Sequence, residues 1–128
     1  LGSKNVMVVH SEDKLDEISV ASKTKVVELK EDKISEYIIS PEEFGIELQP
    51  LDQLKVNTPE ESLSMAKKAL NGELTAASSM VALNAGAALY VAGVEDSLAQ
   101  GIERAKEGIE QKLGLNKLHE LSEYSKSF

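Results

Sequence analysis

The chain has no cysteine, and its only arginine is Arg104. The first absence excludes disulfides and thiolate metal sites and is compatible with a reducing compartment. Lysine and arginine together number 14 against 22 acidic residues, a formal net charge of −8. Phosphate-backbone binding depends on clustered cations, so nucleic acid is not an expected partner. There is no long uninterrupted apolar segment and no signal-peptide pattern, so the expectation is a soluble cytoplasmic protein with no membrane partner. No serine sits in a nucleophile-elbow pattern, and His10 has no second histidine within ligand spacing. A hydrolase reading therefore has no residue to stand on, and no catalytic residue is assigned.

At 128 residues the chain is one domain's worth and long enough to bury a workable core. Its first third is rich in strand signals. Val6-Met7-Val8-Val9 is a short, β-branched apolar run, which predicts a strand covered on both faces, as in a parallel sheet. Lys25 to Lys30 and Ile34 to Ile39 predict two further strands joined as a hairpin through Glu31-Asp32-Lys33. Ser40-Pro41 stops the third strand, and an irregular connector runs on to Leu54.

The remainder reads as about four helices. Thr58-Pro59-Glu60-Glu61 has the pattern of a capping box, with Thr58 as N-cap, Pro59 at the first helical position and Glu61 reaching back to the cap. Leu63, Ala66, Ala69 and Leu70 then share a face, and Gly72 ends the helix. From about Ala76 to Ala92 the sequence is apolar nearly all round, which predicts a central packed helix with Gly86 allowing close approach of a neighbour. Asn84 within it is a buried amide that needs a partner, and a structural hydrogen bond is favoured over a ligand role. Ser97 to Leu113 is amphipathic and ends at Gly114, and a last helix from Asn116 turns Leu118, Leu121 and Tyr124 inward.

The chemistry-bearing candidates are carboxylates. Composition alone gives about four adjacent acidic pairs by chance, and the chain holds Glu12-Asp13, Asp16-Glu17, Glu31-Asp32, Glu42-Glu43, Glu60-Glu61 and Glu95-Asp96. Asp16-Glu17 stands apart because it follows the C-terminal end of the first strand, where open α/β sheets bind ligands. Two carboxylates there suit a hard cation such as Mg²⁺, which shares its oxygen ligands with substrate phosphates.

Four landmarks in order, VVH running into an acidic loop and DEIS, Thr24 opening TKVVELK, SPEEFGIEL from Ser40 to Leu48, and NAGAALYVAG from Asn84 to Gly93, resemble the C-terminal part of anthranilate phosphoribosyltransferases. The chain departs from that pattern at Lys14, where the family usually has glycine, and at Ala21-Ser22-Lys23, where it favours a glycine-containing turn. The resemblance implies an α/β fold of the phosphoribosyltransferase and nucleoside-phosphorylase type. Residues 1–128 would form the C-terminal part of its catalytic domain. The helical N-terminal domain, phosphate-binding loop and anthranilate contacts would belong to an earlier part of the enzyme.

The same resemblance implies the activity: transfer of the 5-phosphoribosyl group from phosphoribosyl pyrophosphate to anthranilate, in tryptophan biosynthesis. Asp16 and Glu17 would hold Mg²⁺ on the pyrophosphate, with Glu17 bridging two ions. The isolated chain would be inactive. Association with the missing portion is implied, and a homodimer at full length. Two other classes stand beside this reading: a fold-sharing, nucleic-acid-binding paralogue without anthranilate chemistry, and a structural fragment that self-associates.

Overall fold

The computed structural model describes residues 2–73 and 75–128. Its first layer is a sheet of three strands, β1 (Val6–Ser11), β2 (Thr24–Lys30) and β3 (Lys33–Ile39), in the order β1-β2-β3. Both pairings are antiparallel. The hairpin falls where the sequence places it, with a tighter turn. Lys30 pairs with Lys33, and Glu31 and Asp32 both take left-handed backbone, φ 50° and 61°. That conformation matches the twist of the flanking strands.

The expected parallel setting of the first strand is corrected. Among the described residues β1 pairs only with β2, and Val8 is 61% exposed. Opposed residues in an antiparallel ladder share a face. One face carries Val9, Val26 and Tyr37 and then Ser11, Thr24 and Ile39. This face is the inner one: Val26, Ile39, Ser11 and Thr24 are buried. The other face, with Val8, Ile34 and Ile38, is open. A continuous β-branched run signals a strand but does not say whether its second face is covered within the same chain.

Four helices form the second layer among the described residues: α1 (Pro59–Leu70), α2 (Ala76–Val91), α3 (Leu98–Glu110) and α4 (Leu113–Ser125). The core lies between the inner sheet face and α2, where Val26 and Ile39 meet Met80, Leu83 and Ala87, with Ile102 behind them. A fully buried side chain such as Leu83 contributes roughly 1.5–3 kcal/mol. The close approach expected at Gly86 is present. A Cβ there would lie 2.4 Å from the Ile102 Cα, and one at Gly101 would lie 2.3 Å from the Gly86 carbonyl oxygen. α2 and α3 therefore cross backbone to backbone.

The helix ends show how local chemistry was reassigned. Thr58 caps α1 by accepting from the Glu61 amide at 3.1 Å, but the Glu61 carboxylate reaches one residue further back, to the Asn57 amide at 2.7 Å. Gly114 does not end a helix. α3 stops at Glu110, Lys112 turns the chain with φ 58°, and α4 starts at Leu113. Gly114 instead lets α4 meet α1, since a Cβ there would be 2.9 Å from the Leu70 Cδ2.

The inward stripe expected on the last helix is corrected at two of its three positions, Leu118 alone being half-buried. Leu121 is 61% and Tyr124 64% exposed, and Tyr124 meets Phe128 edge-on at 5.0 Å. α1 likewise buries Ala69 but leaves Leu63 and Ala66 exposed. Periodicity identifies an apolar face without supplying a surface to cover it.

Candidate carboxylate loop

Because Ser11 at the end of β1 pairs with Thr24 at the start of β2, the chain between them leaves and returns at one point on the sheet. Glu12 closes the base by donating its amide to the Lys23 carbonyl at 2.9 Å. Within the loop, Leu15 packs against the core, Asp16 and Glu17 are exposed, and Ile18, Ser19 and Val20 are buried. The two carboxylates thus ride on a crest between two apolar anchors.

The far anchor is held from α2. Asn84 accepts from the Ile18 amide through Oδ1 at 2.9 Å and donates Nδ2 to the Ile18 carbonyl at 2.9 Å and the Met80 carbonyl at 3.0 Å. The amide expected to find a structural partner does so, and that partner is the residue after the acidic pair. Thr24, fully buried, accepts from the Ser19 amide at 3.2 Å through its hydroxyl. Among the described residues no buried side-chain nitrogen or oxygen is left unpaired, so the scaffold under the loop is complete in itself.

Asp13 was not singled out by the sequence, yet it is the most connected carboxylate of the loop. It accepts from the Ser11 and Ser19 hydroxyls, the latter at 2.6 Å, and both serines are fully buried. Partial burial works against its charge. The hydrogen bonds from the Ser11 and Ser19 hydroxyls outweigh that and hold its carboxyl below the usual carboxylate range. The available signal was a serine two positions before Asp13, since short polar side chains in a loop tend to bond one another and the local backbone.

Lys14 takes left-handed backbone, φ 73°. Glycine adopts that conformation freely, and for other L residues it costs roughly 1–2 kcal/mol. The sequence therefore carries a side chain where the backbone favours none. Lys14→Gly is expected to raise stability by about 0.5–1 kcal/mol, less than the relieved strain because glycine also loosens the unfolded chain. The urea midpoint measures it, and a midpoint at or below the parent's would show that Lys14 is unstrained.

The remaining candidates separate by position. His10 is exposed on the outer face of the sheet, in the row that contains Lys25 and Ile38. Glu43 accepts from the Ser40 amide at 2.8 Å, capping the short 3₁₀ turn Pro41–Phe44. The Glu61 carboxylate accepts from the Asn57 amide just before α1, and Glu31-Asp32 forms the hairpin turn. Among the described residues no group of three or more histidine, cysteine or acidic side chains converges on a point. Asp16 and Glu17 thus offer two carboxylates, and among the described residues no third histidine, cysteine or acidic side chain joins them. That donor set fits Mg²⁺, which keeps several waters and completes its octahedron with substrate phosphates, better than an ion needing an all-protein cage. Among the described residues no helix is long and apolar enough to cross a membrane.

Comparison with known proteins places the chain in context. Residues 1–112 match the glycosyl transferase family, a/b domain. An anthranilate phosphoribosyltransferase from Chromohalobacter salexigens is 53% identical over 98% of this chain, which spans 36% of that relative's length. The crystal structure of the Thermus thermophilus anthranilate phosphoribosyltransferase superposes with a TM-score of 0.76 at 36% identity, covering 84% of this chain and 32% of that one. The Saccharomyces cerevisiae enzyme in complex with PRPP and Mg shares the fold, with a TM-score of 0.81 at 20% identity over 95% of this chain and 35% of that one. The three-stranded sheet, its helical layer and the family match together show that this chain belongs to the glycosyl transferase family, within its a/b domain.

Proposed function

We propose that this chain is the C-terminal portion of an enzyme that transfers the 5-phosphoribosyl group from phosphoribosyl pyrophosphate to anthranilate, and that Asp16 and Glu17 are its Mg²⁺-binding carboxylates. The observation that carries the site is their exposure side by side between two anchored residues, Leu15 and Ile18. Support for the reaction comes from the 53% identical relative, named for that activity. Support for the cofactor comes from the yeast structure, whose complex contains PRPP and Mg.

In this reading the anthranilate amine attacks the anomeric carbon, the carbon–oxygen bond to pyrophosphate breaks, and the amine loses a proton. When bound, Mg²⁺ offsets charge on the leaving pyrophosphate and orients it. The chain's own residues hold the donors in place: Asn84 fixes Ile18, Thr24 fixes Ser19, and the backbone closes the loop at Glu12 and Lys23. Asp16 and Glu17 do not attack the sugar. The phosphate-binding loop, the anthranilate contacts and the helical domain lie in the rest of the enzyme. The open sheet face with Val8, Ile34 and Ile38 supports association with that remainder. A full-length homodimer and a cytoplasmic location belong to the same proposal.

A segment exchange tests it. This chain replaces the matching part of the Chromohalobacter salexigens relative, and the chimera is assayed for N-(5-phosphoribosyl)anthranilate and pyrophosphate. Magnesium-dependent formation of both is expected, with none from this chain alone. A folded chimera without turnover, or turnover by the isolated chain, would overturn the assignment.

A further inference from the structure

Asp13 lies on the same loop as the proposed metal carboxylates, yet its oxygens turn inward. Oδ1 accepts from the Ser11 hydroxyl and Oδ2 from the Ser19 hydroxyl. Each serine in turn accepts from a backbone amide: Leu15 N–H to the Ser11 oxygen at 3.0 Å, Ala21 N–H to the Ser19 oxygen at 2.9 Å. Two polarised chains thus run from the backbone through a buried hydroxyl to one carboxylate. They begin on either side of Asp16-Glu17, and Asp13 ties them together. Hydrogen bonds to an ionised acceptor are shorter and about twice as strong as neutral ones.

We propose that Asp13 is a positioning residue for metal binding. Its carboxylate takes no cation and instead staples the two ends of the crest, so that Asp16 and Glu17 are presented before a cation arrives. This rests on the metal role proposed for that pair. The staple requires an acceptor at both oxygens. In Asp13→Asn, near-identical in shape, an NH₂ would face one serine whose oxygen already accepts from a backbone amide. At Ser19 that hydroxyl would receive a second donor and leave its own hydrogen without an acceptor, and at Ser11 the hydrogen would keep only the Leu15 carbonyl at 3.4 Å, a longer bond to a neutral group.

The test uses this chain and Mn²⁺ alone, as a paramagnetic stand-in for Mg²⁺, read by broadening of backbone amide resonances. Hydrogen exchange is followed at Leu15 and Ala21, and at reference amides in β2 and α2. In the parent chain, broadening is expected to centre on Asp16 and Glu17 and to vanish in Asp16→Ala/Glu17→Ala. Asp13→Asn is expected to raise the Mn²⁺ midpoint at least fivefold and to speed exchange at Leu15 and Ala21 about tenfold, with the reference amides unchanged. Ser19→Ala, which removes one arm without altering charge, should reproduce part of the midpoint shift.

A parental midpoint in both Asp13→Asn and Ser19→Ala would overturn the positioning role and leave the metal pair standing. Broadening that survives the double alanine variant and disappears in Asp13→Asn would make Asp13 a ligand, which also overturns it. Faster exchange throughout β2 and α2 would reduce Asp13 to a general stabiliser. No localised broadening in the parent would remove the metal reading itself, and the positioning role with it.

Discussion

Replacing Asp16 and Glu17 together with alanine is expected to lower turnover of the chimeric enzyme by roughly 100-fold or more, equivalent to about 2.7 kcal/mol of lost transition-state stabilisation. The loss should leave the melting curve almost unmoved. Both side chains are exposed, and neither belongs to the apolar core, so the structural cost should stay within about 0.5 kcal/mol. The defect should appear in metal use: the magnesium dependence of the rate should move to higher concentration or disappear. The control must remove equal charge without removing a cap. Glu42 and Glu43 are unsuitable, because Glu43 holds the Ser40 amide and Glu42 contacts the Ser40 hydroxyl. Glu95 and Asp96, an adjacent pair in the connection between α2 and α3, are the better match. Equal losses from the two double variants would mean that total acidity matters rather than the site. Normal rate and magnesium response in Asp16→Ala/Glu17→Ala would end the assignment.

The sequence made some of this site legible for physical reasons. An acidic pair following a strand can be read from order alone, and a mid-helix asparagine in an apolar helix announces a buried amide seeking a partner. The identity of that partner, Ile18, could not be read, because 66 positions separate it from Asn84 and only the fold brings them together. Asp13 stayed hidden for a different reason. Its sequence neighbours make it look like one more solvated acid, while its function depends on Ser11 and Ser19 pointing inward. At the level of fold, the hairpin and the apolar α2 followed from periodicity and turn chemistry. The surroundings of β1 did not, since strand signals record side-chain type and not which chain direction lies alongside. Gly114 misled because glycine serves two purposes. It marks a helix end when the backbone turns left-handed, but here Lys112 makes that turn and Gly114 admits Leu70. For the exposed Leu121 and Tyr124, the apolar pattern was real and the covering surface was not present among the described residues.

Gly86→Ala is expected to be strongly destabilising for the addition of a single methyl, as is Gly101→Ala on the other side of the same crossing. At Gly86 the new Cβ would sit 2.4 Å from the Ile102 Cα and 2.5 Å from its amide nitrogen. These are backbone atoms of α3, so no rotamer change relieves the overlap, and the helices must separate. Overpacking a well-packed core typically costs about 1–3 kcal/mol, and a backbone clash belongs at or above the upper end. Against a marginal stability of roughly 5–15 kcal/mol that is a large share. Gly108→Ala is the internal comparison, on α3 itself. Its nearest neighbour to an added Cβ is the Leu113 Cδ1 at 4.0 Å, so helix propensity should decide, and stability should rise by about 0.5–1 kcal/mol. Opposite shifts in the denaturation midpoint from the same chemical change would isolate packing from propensity. The effect should also travel to the loop. Gly86 lies two positions beyond Asn84 on α2, and a displaced α2 carries the Asn84 clamp away from Ile18. Exchange of the Ile18 amide should therefore quicken in Gly86→Ala beyond what the global loss of stability explains, while in Gly108→Ala it should slow or hold. A Gly86→Ala chain with the parent's midpoint would show that α2 and α3 do not meet at this glycine, and the route from helix crossing to carboxylate loop would fail with it.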